Sequence, residues 1–266
     1  MKKTVLVLIF LSAFGLLMNG CQRDTGGLTI KNGVLMVAVE PSYPPMEYLA
    51  SDGVTLIGFD IDLANAIAGK LDLRTEFVET SWDGIFAGVD TRRYDCIISG
   101  VTITPERLQR HNFSRPYMQN TIAIVMPRNS SRTVNSPWDL AGLRVSYQDE
   151  TTADFFMQDL AAQGLAFAPF EYDRMMYCFE ELRLGRVDTV VTDLIVAYEY
   201  IGRSDFFEIV WQGGEEELGI ALRKGNDALT EAIDNALAEL FEDGTMLRLS
   251  LHHFNGLDLV SAVMQD

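Results

Sequence analysis

The sequence has few of the residues that build metal centres, disulfide frameworks or nucleic-acid surfaces. Its 266 residues include only three cysteines and three histidines, and 21 lysine and arginine residues stand against 38 aspartate and glutamate residues, for a net charge of −17. An acidic chain without a basic patch repels phosphate groups and anionic headgroups, which argues against nucleic-acid binding. The composition, with 48% hydrophobic and 22% charged residues, excludes a fibrous or wholly disordered protein.

Motifs of the familiar enzyme classes are also missing. The chain has no Gly-x-Ser-x-Gly elbow, no Walker loop, no Gly-x-Gly-x-x-Gly and no Cys-x-x-Cys pair. The adjacent residues His252 and His253 would point in different directions on a helix, so they make a poor metal pair. We therefore expect no metal and no other cofactor, and a hydrolase or metalloenzyme of a familiar kind is disfavoured.

The amino terminus has the pattern of a targeting segment. Lys2 and Lys3 precede an uncharged, apolar-rich run at residues 5–18, which is shorter than the roughly 20 residues that a membrane span needs. Residues 17–21 resemble the bacterial lipobox, so we predict a signal peptide at 1–20 and a lipidated Cys21. An ordinary signal peptide followed by a free thiol is the alternative. No second apolar run of spanning length follows, so we expect the rest of the chain outside the cytoplasmic membrane.

Short apolar runs then alternate with helical patterns. Residues 21–32 are polar, as a tether would be, and residues 34–39 form an apolar run of strand length. Apolar stripes predict one helix opened by Asp60, a second capped by Ser81, and a third that stops at Gly244. Further strand candidates are 75–79, 96–99, 121–126, 143–147, 187–192 and 218–222. This alternation predicts an α/β fold.

One segment suits a carboxylate ligand. Thr104 before a proline is a helix start, which places Arg107 on the first turn of that helix. A guanidinium group binds a carboxylate with two parallel hydrogen bonds, and the hydroxyl groups of Ser99 and Thr102 are available as neutral donors. The alternative is an ordinary surface arginine.

Two further segments carry polar groups at the ends of predicted strands, where open α/β sheets bind ligands. Thr151 and Asp154 have the spacing of a capping box, so the helix that they begin offers free amide groups to an anion. Asp193 ends a predicted strand and suits an ammonium group. For both segments, helix capping alone is the alternative.

Together these segments resemble the solute-binding proteins of polar amino acid ABC transporters, the bacterial extracellular family 3 group. The resemblance runs from about residue 34 to residue 254. It is carried by residues 40–47, 58–63, 95–107, 113–117, 148–152, 185–188 with Asp193, and 219–225.

The resemblance implies a type II periplasmic-binding fold, in which two α/β lobes joined by two crossing hinge strands close on the ligand. Lobe 1 would comprise residues 33–120 and 217–266, and lobe 2 residues 121–216. Because this division puts Cys96 and Cys178 in different lobes, we expect two buried thiols and not a disulfide.

The resemblance also implies roles for individual residues. Arg107 would hold the ligand α-carboxylate and Asp193 the α-ammonium group, while Tyr43 and Trp82 would flank the ligand side chain. Helpers for the carboxylate would be Ser99, Gly100 and Thr102 on lobe 1 and Thr151 and Thr152 on lobe 2. Trp82 also lies on an apolar helix stripe, so a core position is its alternative.

Two acidic residues, Glu150 and Glu40, lie at the expected ligand site. Glu150 stands where relatives usually carry glycine, and a carboxylate beside the ligand carboxylate is unfavourable, so either its side chain faces solvent or the turn differs. Glu40 lies where relatives often place an acidic residue toward the ligand side chain, which favours a cationic or amide side chain. A hydrogen-bond acceptor on the hinge side is the alternative for Glu40.

The function implied is that of a monomeric, lipid-anchored and non-enzymatic receptor, which delivers an amino acid to an ABC transporter permease. Cyclohexadienyl dehydratases resemble this fold and place a glutamate general acid in the cleft, so an enzyme with Glu40 or Glu171 in that role is an alternative. A ligand-sensing input module is another, although such chains continue into a transmembrane segment and this sequence shows none after residue 18.

Overall fold

The computed structural model of the chain describes residues 27–264. The predicted signal peptide, Cys21 and most of the predicted tether therefore lie outside the described residues. Within them the strands are β1 (Val34–Val39), β2 (Ser42–Tyr43), β3 (Glu47–Leu49), β4 (Leu56–Ile57), β5 (Arg74–Glu79), β6 (Cys96–Ile97), β7 (His111–Phe113), β8 (Met118–Pro127), β9 (Arg144–Gln148), β10 (Ala168–Tyr172), β11 (Thr189–Asp193), β12 (Phe207–Leu218) and β13 (Ala221–Arg223). The helices are α1 (Phe59–Lys70), α2 (Ile85–Asp90), α3 (Pro105–Arg110), α4 (Thr152–Ala162), α5 (Met175–Arg183), α6 (Leu194–Gly202), α7 (Asp227–Glu242) and α8 (Thr245–His253).

Two five-stranded sheets form the centres of the two halves of the molecule. The first sheet has the order β5-β1-β6-β13-β7, with β1 parallel to both β5 and β6. The second has the order β10-β9-β11-β8-β12, with β9 parallel to both β10 and β11. Strands β2, β3 and β4 make a small antiparallel sheet beside the first. The predicted α/β class is confirmed.

Strands β8 and β12 connect the two sheets. They pair antiparallel along their whole length, from Phe207 opposite Pro127 to Leu218 opposite Met118. At one end they belong to the second sheet, and at the other end β7 leads into β8 and β12 leads into β13, both of which lie in the first sheet. These are the two hinge strands that the resemblance implied.

The strand prediction for residues 218–222 is wrong, because the chain changes sheets there. Strand β12 ends at Leu218 and β13 begins at Ala221. Gly219 lies between them, and a Cβ atom on it would come within 2.7 Å of the Ile103 side chain. A continuous apolar run therefore contains the end of one strand and the start of another in a different sheet.

Helix ends follow local signals in most places. Helix α1 begins after Gly58, whose φ is 132° and where a Cβ atom would lie 2.2 Å from the Met46 carbonyl oxygen, so only glycine fits. Gly244 follows α7 with a left-handed φ of 73°, as predicted. The predicted helix after Ser81 instead starts as a 3-10 turn at Trp82–Gly84, and Ser81 makes no side-chain cap.

The core is dominated by aliphatic side chains that pack helices against the sheets. Helices α1 and α7 pack on each other beside β1 through buried residues such as Leu63, Ile67 and Ile233. Cys96 and Cys178 are both buried free thiols, which confirms that prediction. None of the helices in residues 27–264 is long and apolar enough to cross a membrane.

Candidate functional site

A cavity lies at the carboxyl ends of β1, β6, β9 and β11, between the two sheets. It is lined by Glu40, Tyr43, Glu47, Trp82, Ser99, Gly100, Thr102, Arg107, Gln148, Thr151, Thr152, Ala153, Met175 and Asp193. All ten residues that the sequence singled out as ligand contacts are in this set. The structure therefore brings together segments that lie far apart in the sequence.

Arg107 reaches the cavity because its helix begins where the sequence predicts. The Thr104 hydroxyl oxygen accepts a hydrogen bond from the Arg107 amide at 3.2 Å and caps α3. Arg107 Nη1 donates to the Thr102 carbonyl at 3.0 Å, and Nη2 donates to the Glu150 carbonyl at 3.3 Å. A guanidinium group has five N–H donors, so three remain for a ligand after these two contacts.

Aromatic rings and burial define the setting of the guanidinium. Its central carbon lies 5.5 Å from the ring centre of Trp82 and 5.1 Å from that of Phe86. Such stacking holds the planar group in one orientation. Burial lowers the pKa of Arg107 to about 10, opposed by the nearby carboxylates of Glu216 and Asp193, so the group stays charged near neutral pH. Arg107 is thus a fixed buried cation and not a surface arginine.

Asp193 ends β11 and lies before α6, but its side chain makes no cap for that helix. The carboxylate instead accepts a hydrogen bond from the Tyr43 hydroxyl at 2.6 Å. Burial raises the pKa of Asp193, while Tyr43, Asn120 and Arg107 oppose that rise. The capping alternative is therefore not what the structure shows, and the carboxylate faces the cavity.

Tyr43 and Trp82 form two walls of the cavity and also connect its two sides. Tyr43 lies in β2 beside the first sheet, and its bond to Asp193 spans 150 residues of sequence. Trp82 Nε1 donates to the Glu150 carbonyl at 3.2 Å, and only 7% of the side chain is exposed. Gly100, with a φ of 56°, lies beside the Tyr43 ring, where an added Cβ atom would come within 3.3 Å of a ring carbon.

Two hydroxyl groups at the cavity, those of Ser99 and Thr151, donate their hydrogen atoms to protein acceptors. The Ser99 hydroxyl donates to Glu47 Oε1 at 2.6 Å and accepts from the Glu40 amide. The Thr151 hydroxyl donates to the Gln148 carbonyl at 2.7 Å. The donor role expected for the Ser99 side chain is therefore corrected, because a hydroxyl group has a single hydrogen to donate.

The turn before α4 makes one contact of a capping box as expected, but its second contact involves the preceding residue. The Asp154 amide donates to the Thr151 hydroxyl, as a capping box requires, but the Asp154 carboxylate accepts from the Glu150 amide at 3.0 Å. The first-turn amides of Thr152 and Ala153 precede any carbonyl partner within the helix, so they are available to an anion.

The Glu150 carboxylate does not lie beside the position expected for the ligand carboxylate. The residue has a left-handed φ of 60° and an exposed side chain, so the carboxylate faces solvent. Its carbonyl oxygen faces the cavity and receives the bonds from Trp82 and Arg107.

Several cavity residues were missed from the sequence. Gln148 is the last residue of β9 and Glu47 the first of β3, directly opposite Tyr43. The position of Gln148 at a strand end is a signal that could have found it. Met175, at the start of α5, carried no such signal. Glu216 in β12 lies behind the cavity and interacts with Asp193 and Arg107, and burial raises its pKa to about 7.

The two glutamates considered as general acids occupy different places. Glu40 lines the cavity, is 2% exposed, and accepts from the Ser42 hydroxyl at 2.6 Å on one carboxylate oxygen. Burial raises its pKa. Glu171 is exposed on β10, where it accepts from the Tyr147 hydroxyl, and it does not line the cavity. The suggestion of Glu171 as an acid in the cleft is therefore wrong.

The family and the relatives that match this chain agree with the resemblance seen in the sequence. A family model for bacterial extracellular solute-binding proteins, family 3, matches residues 35–256. The L-cystine-binding protein TcyJ of Escherichia coli (strain K12) is 32% identical over 222 residues, which cover 83% of this chain and 82% of TcyJ.

Solved structures agree with these sequence relatives. An ancestral arginine-binding protein bound to arginine is 37% identical, with a TM-score of 0.80 and coverage of 84% of this chain and 98% of that chain. The ancestral amino acid-binding protein AncCDT-1, a precursor of cyclohexadienyl dehydratase, is 33% identical, with a TM-score of 0.78 and coverage of 84% and 96%. These named relatives are binding proteins and not enzymes.

Proposed function

The chain belongs to the bacterial extracellular solute-binding proteins of family 3 and has their type II periplasmic-binding fold, and from that premise we propose that it captures an amino acid for an ABC transporter. The ligand carboxylate binds Arg107 and the first-turn amides of α4, and the ligand ammonium group binds Asp193. The loaded protein then delivers the amino acid to the permease subunits in the membrane.

One observation carries this proposal. A buried cation on α3 and a buried anion at the end of β11, 8% and 6% exposed, line the same cavity from the two halves of the molecule. A zwitterion presents a carboxylate and an ammonium group close together, so it complements this pair of charges. Because each half of the molecule supplies one charge, binding favours the closed arrangement of the lobes. We propose lobe boundaries at residues 120/121 and 216/217, within the paired hinge strands, where Asn120 lies opposite Glu216.

The ligand side chain passes between Tyr43 and Trp82 toward Glu40. The Oε2 atom of Glu40 is buried and has no hydrogen-bond partner among residues 27–264, so a donor from the ligand would satisfy it. Gln148 adds a second polar group to this side of the cavity. A polar side chain that donates hydrogen bonds, either cationic or amide, fits best. Relatives named for arginine and cystine binding are consistent with a polar ligand.

Calorimetric titration with matched pairs of ligands tests the proposal. We expect L-arginine and L-glutamine to bind more tightly than L-norleucine, which has a similar length but no side-chain donor. A ligand at 100 times its dissociation constant adds about 2.7 kcal/mol of stability, so a thermal-shift screen of all amino acids and cystine detects any binder first. Failure of every amino acid to shift unfolding would refute amino acid capture.

We also propose that the mature protein is held at the membrane by a lipid on Cys21. Its motif in residues 17–21 supports this, and the family is extracytoplasmic. Cys21→Ser should move the protein from the membrane pellet to the soluble fraction, whereas Cys178→Ser, which alters a buried thiol, should not. A Cys21→Ser protein that stays in the pellet, together with a native protein that lacks an acyl mass, would contradict the anchor.

A further inference from the structure

Two acidic side chains are buried side by side behind one wall of the cavity. Glu47 begins β3 and lines the cavity, and Asp60 is the second residue of α1. Both residues have no exposed surface, and their carboxylates accept hydrogen bonds from successive residues, Ser99 and Gly100. Each carboxyl group affects the pKa of the other. Two ionised carboxylates in such a place would repel each other with little screening by water.

In each of the two carboxyl groups, one oxygen accepts hydrogen bonds and the other receives none. Glu47 Oε1 accepts from the Ser99 hydroxyl at 2.6 Å. Asp60 Oδ2 accepts from the Gly100 amide at 2.7 Å and from the Tyr117 hydroxyl at 3.2 Å. Glu47 Oε2 and Asp60 Oδ1 are buried and receive no donor from any residue in the part of the chain that is described. An ionised carboxylate only accepts hydrogen bonds, so it cannot donate to its neighbour.

We propose that Glu47 and Asp60 share one proton, carried on Glu47 and donated to Asp60, and that this protonated pair positions the Ser99–Gly100 turn beneath the ligand. One proton supplies the donor that both remaining oxygens lack. The positioning role rests on the proposed function, whereas the proton itself does not.

The electrostatic surroundings favour this protonation state. The titratable groups that face the pair are Glu40, from the end of β1, and Tyr117, which follows β7. Neither supplies positive charge. Burial raises the pKa of Glu47, and the carboxylates of Asp60 and Glu40 raise it further. Burial also raises the pKa of Asp60, although the Gly100 amide and Tyr117 favour its charged form.

The pair is connected to the cavity through two successive residues. Ser99 is held through its hydroxyl group, and Gly100 is held through its amide in a left-handed conformation beside the Tyr43 ring. Thr102, two residues further on, supplies the carbonyl oxygen that orients Arg107. Loss of the proton would leave two repelling charges under this turn, so Glu47 and Asp60 are positioning residues for the wall that carries Arg107.

The first test needs no ligand. We label the full-length protein with carboxyl-¹³C glutamate and aspartate, assign Glu47 and Asp60 in the wild type by through-bond correlation, and follow their shifts with pH. At about pH 8, above the pKa of about 7 to which burial raises Asp60, the Glu47 carboxyl carbon should have the shift of a protonated acid and the Asp60 carbon that of a carboxylate. Two carboxylate shifts, or two protonated shifts, at this pH would overturn the proposal.

The second test separates protonation from simple structural support. Glu47→Gln replaces the protonated acid by an amide that donates to Asp60 and accepts from Ser99, so it should bind L-arginine within about threefold of wild type. Glu47→Ala removes both hydrogen bonds and should bind roughly tenfold or more weakly. If Glu47→Gln is as weak as Glu47→Ala, the pair does not act through a proton donor.

The pH profile of unfolding provides a readout that needs neither L-arginine nor the alanine variant. A carboxyl group with a raised pKa in the folded state binds a proton that the unfolded state lacks, so wild-type stability should fall as pH rises above about 5. Glu47→Gln should show a smaller fall, and identical slopes would overturn the proposal. Failure of L-arginine to bind the wild type would count against the ligand assignment alone, because the carboxyl shifts and the unfolding profile still test the pair.

Discussion

Arg107 and Asp193 are the residues on which the chemistry of the site depends. Truncating one partner of a buried charge pair costs roughly 2 to 5 kcal/mol, so Arg107→Ala and Asp193→Ala should each weaken amino acid binding by about 30-fold to several thousand-fold. Arg107→Ala should lose its preference for the free acid over the amide, and Asp193→Ala its preference for the amine over the N-acetyl analogue. Calorimetric titration measures both preferences.

A matched control for these variants is Arg110→Ala, which removes an exposed arginine from the same helix as Arg107. It should bind like the wild type. Circular dichroism checks that each variant keeps its native fold. If Arg107→Ala or Asp193→Ala binds the parent amino acid within about threefold of wild type, that residue does not hold the charged group assigned to it.

Glu150 carries a local strain that glycine would relieve. Its φ of 60° lies in the left-handed region, its side chain is exposed, and its contacts with Arg107 and Trp82 use only the backbone carbonyl. We expect Glu150→Gly to be more stable than Glu150→Ala by about 1 kcal/mol, measured by urea unfolding, because both remove the charge but only glycine adopts this φ freely. Equal stability of the two variants would contradict the conformation of this turn.

At the scale of the elements, local signals were readable from the sequence and long-range ones were not. The run 34–39 became β1, and Thr104 capped α3, because apolar periodicity and capping depend on a few neighbouring residues. The run 218–222 was misread because the change of sheet at Gly219 depends on packing against Ile103.

In the site, too, the sequence indicates which residues take part but not which distant residues they bond to. Ten cavity residues were predicted, in part through the family resemblance, but their hydrogen bonds were not. The Ser99 hydroxyl is used by Glu47, which lies 52 residues away, and Asp193 by Tyr43, which lies 150 residues away. The sequence pattern of one segment does not show such partners, because the two residues come together only in the folded chain.

The hinge strands contain a titratable group close to the proposed ammonium site. Asn120 in β8 donates to Glu216 in β12 at 3.0 Å. Burial, together with the nearby carboxylate of Asp193, raises the pKa of Glu216 to about 7. A ligand ammonium group at Asp193 would favour ionised Glu216, so binding should release a proton and become tighter as pH rises from about 6 to about 8, by up to roughly tenfold.

Glu216→Gln should remove this pH dependence of the binding constant, and Glu215→Gln is the matched control, because Glu215 is an exposed neighbour on the same strand. Titrations in buffers of different ionisation enthalpy measure the proton release directly. The same pH dependence in wild type and Glu216→Gln would assign it to another group.

At the scale of the whole molecule, direct hydrogen bonds hold the two halves together around the cavity. Tyr43 donates to Asp193, and Trp82 donates to the Glu150 carbonyl. The bond from Tyr43 to the Asp193 carboxylate contributes about 1.5 to 3 kcal/mol, and the neutral bond from Trp82 about 0.5 to 1.5 kcal/mol. These contacts bias the molecule toward closure without deciding it alone. A bound zwitterion adds charge-assisted bonds on both sides, which makes closure dependent on ligand.

We therefore expect the radius of gyration from small-angle scattering to fall when the tightest ligand from the screen is added. Tyr43→Phe with Trp82→Phe keeps an aromatic ring at each position but removes both donors, so the unliganded double variant should be more open than the wild type and should bind more weakly. Tyr198→Phe, which alters an exposed tyrosine on α6, should behave like the wild type. Radii that are equal with and without ligand, in both the wild type and the double variant, would exclude a hinged closure. A fall seen only in the double variant would mean that the direct hydrogen bonds already close the unliganded wild type.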